Sequence, residues 1–141
     1  MSISANHPIQ KLLFFVAQDF DNSLVRVIEN FVREIGLLRN WVLGPPEFVN
    51  ETVNGIDTLG GVLRIYSALP PSELPCDIDR THLDEVKEVV RSVQIISLKH
   101  GLAFEFELAG IHVGSIEDGE LDRSLQVGLL EEWEHALRLR K

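Results

Sequence analysis

The stretch that decides the fold is Gly101 to Leu137, GLAFEFELAGIHVGSIEDGELDRSLQVGLLEEWEHAL. Phe104, Phe106 and Leu108 alternate with Ala103, Glu105 and Glu107, the two-residue period of a strand with one buried and one wet face. Ala109-Gly110 makes the turn that follows, because glycine accepts the positive φ of a tight hairpin. Ile111 and Val113 resume the alternation. It slips at Gly114-Ser115, which leaves Ile116 on the opposite parity, and a β-bulge at Gly114 restores it. Asp118-Gly119 is the next turn. Beyond it Leu121, Leu125, Leu129, Trp133 and Leu137 recur every four residues, with Leu130 beside them, as on one face of an amphipathic helix. Asp122 or Asp118 is placed to cap its start, and Arg138, Arg140 and Lys141 sit at its end, where cations suit the helix dipole. Gly128 inside this helix costs about 1 kcal/mol relative to alanine, which points to a neighbour packed against its bare backbone.

Upstream, Lys11 to Gln18 (KLLFFVAQ) is a near-continuous apolar run, the pattern of a central strand buried on both faces. Asp19 to Ser23 offers helix caps. Leu24, Val27, Ile28, Phe31 and Ile35 follow at helical spacing, with Gly36 as the stop. Trp41-Val42-Leu43 is a short strand candidate closed by Gly44-Pro45-Pro46, and Glu47 to Val53 favours a strand. Asn54-Gly55 and Gly60-Gly61 signal turns, Val62 to Ala68 a strand, and Leu69 to Pro75, with three prolines, an exposed loop. Thr81 opens a second helix, with Asp84 in the manner of a capping box. Its stripe is Leu83, Val86, Val89, Val90, Val93 and Ile96, and Lys99-His100-Gly101 ends it.

The expected fold is therefore α+β: a mostly antiparallel sheet with helices packed on one face, in the order β-α-β-β-α-β-β-α. Its first six elements match the split βαβ pattern of ferredoxin-like folds, extended by a hairpin strand and a C-terminal helix. The 141 residues form one domain, 1–141, with disorder expected only at Met1 to Pro8. Composition agrees, with 45% hydrophobic and 25% charged residues. The single cysteine, Cys76, has no partner for a disulfide or a thiolate metal site, which suits the cytoplasm. No stretch has the length of a signal core or a membrane span.

Charge narrows the function. With 22 acidic against 13 basic side chains the net charge is −9, which disfavours nucleic acid and anionic membranes as partners. Seven acidic residues and one basic, Arg123, lie between Glu117 and Glu134. Such a segment steers a basic protein partner. The residues expected to carry that contact are Glu117, Asp118, Glu120, Asp122, Glu131 and Glu134, with Trp133 or Trp41 as an aromatic anchor and Trp133 the better fit to the core. The cluster from Glu117 to Asp122 is oxygen-rich enough for a hard cation, but its spacing does not match a calcium loop. Glu131 and His135 share a helix face without a third ligand. Cys76 with Asp77, Asp79, His82 or His100 lacks a recognisable activating arrangement. No phosphate loop, dinucleotide fingerprint, nucleophile elbow or Cys-x-x-Cys is present. No catalytic, metal-binding or cofactor-binding residue is assigned, and the balance lies against an enzyme.

The segment FEFELAGIHVGSIEDGELDRSLQVGLLEEWEHAL resembles the C-terminal part of small acidic bacterial proteins of the toxin-immunity type. That resemblance implies a compact protein that binds and neutralises a toxin domain with a basic surface. Two alternatives stand beside it. One is a small metal-dependent or ligand-binding enzyme built on the carboxylates of 117–122, with His112 or His135. The other is a self-associating structural subunit, a homo-oligomer paired through an exposed strand edge.

Overall fold

A computed structural model describes residues 7–67 and 74–140 of the chain. The elements are β1 (Ile9–Val16), α1 (Asn22–Gly36), β2 (Glu47–Val53), β3 (Ile56–Tyr66), α2 (Cys76–His100), β4 (Ala103–Leu108), β5 (Ile111–Glu117), β6 (Glu120–Leu121), a π-helical stretch (Ser124–Glu131) and α3 (Glu132–Leu139). The strands form one antiparallel sheet in the order β2-β3-β1-β4-β5-β6. Strand β3 sits between β1 and β2, and β1 between β3 and β4, so two split βαβ units interlock as the sequence pattern predicts. The short β6 is an addition to the expected order.

The core lies between one face of the sheet and the helices. Leu12, Phe14 and Val16 of β1, Leu59, Leu63 and Ile65 of β3, and Phe104 and Phe106 of β4 point into it. They meet Ile28, Val32 and Ile35 of α1, Val86, Val89 and Val93 of α2, and Leu125. Phe14 and Phe106 are a direct cross-strand pair with ring centroids 6.2 Å apart, a contact favoured beyond its area alone. Asp21 caps α1 by accepting from the Leu24 N–H at 2.9 Å. Gly101 closes α2 in the left-handed conformation, φ 64°, where glycine has no steric penalty.

Several expectations change on the three-dimensional scale. Trp41–Leu43 is a turn, not a strand. It is held by its side chains, with Trp41 Nε1 donating to Gly36 O at 3.1 Å. Gly60-Gly61 is not a turn but the middle of an eleven-residue strand. A Cβ on Gly60 would lie 1.8 Å from the Phe14 carbonyl oxygen, and one on Gly61 would lie 2.4 Å from the Phe14 ring. These glycines mark a close approach of β1 to β3. Helix α2 begins at Cys76 rather than Thr81. Asp77 and Asp79 occupy its first turn, where carboxylates suit the dipole, and Thr81 donates back to Asp77 O at 2.9 Å. At the N-terminal end of the described residues His7 Nε2 lies 2.9 Å from Ser67 O, and Ser67 N–H donates to Pro8 O at 2.8 Å. Ala68, most of the Leu69–Pro75 loop and Met1–Asn6 fall outside the described residues.

Leu121 belongs to β6, and the last helix starts after Asp122, which accepts from the Leu125 N–H at 2.9 Å. An apolar period of four overshoots the 3.6-residue α-helical turn. The wider π-helical turn keeps Leu125, Leu129 and Leu130 against the core. Gly128 faces solvent, and a Cβ there would meet nothing within 4 Å, so close packing does not explain it. The bulge at Gly114 is present, with φ 152° and the register shift beside it. Leu125 packs directly over this glycine.

Among the described residues, the two-residue hairpins Asn54-Gly55, Ala109-Gly110 and Asp118-Gly119 have positive φ at both central positions. That is the geometry that matches strand twist. Ala109, at φ 55°, is the one poorly suited residue, because a Cβ in the left-handed region costs about 1–2 kcal/mol. Ala109→Asn is expected to raise stability by about 0.5–1 kcal/mol, read from urea midpoints. An unchanged midpoint would show that the turn is not strained.

Candidate functional site on the open face of the sheet

The run KLLFFVAQ reads as a strand covered on both sides, yet the helices cover only one. Inward residues of β1 are fully buried. Leu13 and Phe15 point the other way and are only half-buried. The pairing register carries this face across the sheet. Leu13 lies beside Val62 and Glu107, Phe15 beside Gly60 and Glu105, Val49 beside Gly60, and Glu105 beside Ser115. Leu13, Phe15, Val49 and Val62 thus form an apolar centre over a shallow concavity of about 500 Å³, whose margin includes Lys11, Glu51 and Glu107.

The margin is mainly acidic. Glu47, Glu51, Glu105, Glu107 and Glu117 share the face with Lys11 and Arg64. Arg64 pairs with Glu47 at 2.5 Å, and His112 lies 3.4 Å from Glu105. Among the described residues Glu51, Glu107 and Glu117 have no ion-pair partner. Glu117 and Glu120 are directly opposed across the β5–β6 hairpin, a like-charge pair that costs stability. Asp118 stands in the turn between them. The tip is fixed in place, because Gly119 N–H donates to Ser97 Oγ at 3.0 Å and Gln94 Nε2 to Gly119 O at 3.1 Å.

The remaining candidate carboxylates sit elsewhere and are partly engaged. Asp122 accepts from Leu125 N–H and from Ser115 Oγ at 3.1 Å. Burial pushes its carboxyl up, but these hydrogen bonds outweigh it and hold the group below the usual range. Glu134 receives Arg80 at 2.9 and 2.6 Å and Lys87 at 3.2 Å, with Arg138 3.9 Å away. It therefore ties α3 to α2 instead of presenting free charge. Glu131 is exposed on the helical side, beside His135, Glu132 and these cations. Trp133 packs against the core and donates to Asp79 at 2.8 Å. Asp79 also receives Arg140 at 2.5 Å. Trp41 packs at the edge of the core, with Arg39 5.7 Å above its ring.

The hydrogen bonds from Arg80 and Lys87 hold Glu134 down to about 2, from 4.5. A depressed carboxylate stabilises the fold above its unfolded pKa and loses that contribution as pH falls through the folded one. Glu134→Gln is therefore expected to flatten the acid loss of stability between about pH 4.5 and about 2, measured by urea unfolding across that range. An identical profile would mean that the bridge is not held in solution.

Sequence reasoning missed a buried pair. His82 and Glu85 are one turn apart on α2, with both side chains fully buried. His82 Nε2 accepts from the Tyr66 N–H at 3.1 Å, so its proton sits on Nδ1 and is donated to Glu85 at 2.9 Å. The second Glu85 oxygen accepts from the Val42 N–H at 2.7 Å. Both ring nitrogens are thus occupied and shielded, which makes this a structural clamp joining α2, β3 and the turn after α1. The i,i+3 His–Glu spacing was the only sequence signal. Among the described residues Cys76 is not assembled with a base: Asp79 is taken by Trp133 and Arg140, and His100 stands about 36 Å along the helix. Among the described residues no three His, Cys, Asp or Glu side chains converge as metal ligands would. No helix there is long and apolar enough to cross a membrane.

No family model matches the chain, and neither a curated protein nor a solved structure matches it.

Proposed function

We propose that the protein is a binding module that receives a basic protein partner on the open face of its sheet, as an immunity protein receives a toxin domain. The observation that carries this reading is the apolar centre of Leu13, Phe15, Val49 and Val62, left uncovered by the described residues and set within an acidic margin. Apolar centre and polar rim are the anatomy of a protein interface. The acidic margin selects a basic surface and speeds its approach. It also repels phosphate backbones, although Phe15, the half-buried aromatic of this face, is a residue type that stacks on bases in other open sheets.

The test begins with capture from lysate and then measures binding of the purified partner. Val62→Glu is expected to accelerate dissociation. Joint reversal of Glu105, Glu107 and Glu117 to lysine is expected to slow association about tenfold at low salt and flatten its salt dependence. Glu131→Lys, on the helical side, serves as the control. A partner bound equally by all variants would rule out this face. A dimer that Val62→Glu dissolves, without any basic partner, would favour the self-associating subunit instead.

A further inference from the structure

A second apolar surface lies on the opposite side of the molecule. Helices α1 and α2 leave a groove of about 400 Å³ between them, walled by Val27, Phe31 and Ile35 on α1 and by Ile95 and Ile96 on α2. Its volume falls in the range of small-molecule sites. Its lips remain in water: Leu38 is 56% and Ile95 64% exposed.

The groove has a direction. Each helix leads away from its strand, and β1 and β3 are antiparallel, so α1 and α2 run antiparallel. Val27 therefore shares one end with Lys99 and His100, while Leu38 shares the other with Ser92. The Lys99 ammonium and the His100 ring stand at the first end, and the carboxylate of Glu34 lies towards the second. From Val27 to Leu38 the groove runs about 16 Å at helical rise, long enough for an extended alkyl chain of about a dozen carbons. An amphipathic helix would call for complementary charge along both lips. Here the Lys99 ammonium, with the His100 ring beside it as a hydrogen-bonding group, stands at one end of an apolar channel.

We propose that this groove binds a single-chain amphiphile with an anionic head, a fatty-acid-like carboxylate lying with its head at Lys99 and His100 and its methyl end at Leu38. The inference is independent of the open sheet face. Calorimetric titration with dodecanoate, below its micelle concentration, is the test, beside dodecyltrimethylammonium as the same chain with the opposite head. Saturable one-to-one binding of dodecanoate is expected, at least about fivefold tighter than the cationic analogue. Lys99→Glu is expected to remove that preference. Ile95→Asp with Leu38→Asp, at exposed positions that leave the fold intact by circular dichroism, is expected to abolish binding. Val62→Glu should bind as wild type. Absence of saturable binding, equal affinity for both heads, or binding retained in the double aspartate variant would each overturn the proposal.

Discussion

Glu85→Ala is expected to destabilise the protein by about 3–5 kcal/mol, from the cavity it leaves together with the hydrogen-bond donors it strands. The side chain is fully buried and accepts from two elements at once, His82 on its own helix and the Val42 backbone. Its removal strands the His82 Nδ1 proton away from water and opens a cavity, and each effect is costly. Glu85→Gln should cost less, because the amide oxygen still satisfies one donor while its NH₂ opposes the other. A cycle with His82→Ala should show strong non-additivity, since either change alone leaves a partner behind. Guanidinium unfolding reads both Glu85 variants, His82→Ala and the double variant of the cycle. A loss below about 1 kcal/mol for Glu85→Ala would mean that water replaces the carboxylate, so that the clamp contributes little.

Gly60→Ala is the second large effect. Its methyl group would lie 1.8 Å from the Phe14 carbonyl oxygen and 2.7 Å from the Phe15 Cα, both backbone atoms of the central strand. Relief requires β1 and β3 to separate where they are paired, at an expected cost of about 3 kcal/mol or more. Gly61→Ala differs in kind, because its methyl group meets the Phe14 ring, a side chain that can be trimmed. Phe14→Leu should therefore recover part of the Gly61→Ala loss but none of the Gly60→Ala loss. Equal recovery of both would show that the ring, not the backbone, sets the constraint at Gly60.

The sequence revealed what local periodicity writes. The strands FEFEL and KLLFF, both long helices, the bulge at Gly114 and the helix cap at Asp122 all follow from spacing within a few residues. The errors share a cause, which is a partner far along the chain. Gly60-Gly61 reads as punctuation until Phe14 is brought against it. Glu134 reads as free charge until α2 delivers Arg80 and Lys87. His82 and Glu85 read as an ordinary helix face until Tyr66 and Val42 supply the other half of the clamp. The apolar run of β1 was legible as a central strand, but only the three-dimensional arrangement shows that nothing in the described residues covers its second side.

The position of β1 at the centre of the sheet has a consequence for how the protein is made. This first strand pairs Leu12 with Leu63, and Phe14 with Phe106, about 90 residues further along. The β2–β3 and β4–β5–β6 hairpins close over a few residues and form early. The centre must wait for the C-terminal third of the chain, and such distant closures slow folding. During synthesis LLFFV therefore leaves the ribosome well before its second neighbour exists. It is the segment on which a chaperone would first find purchase.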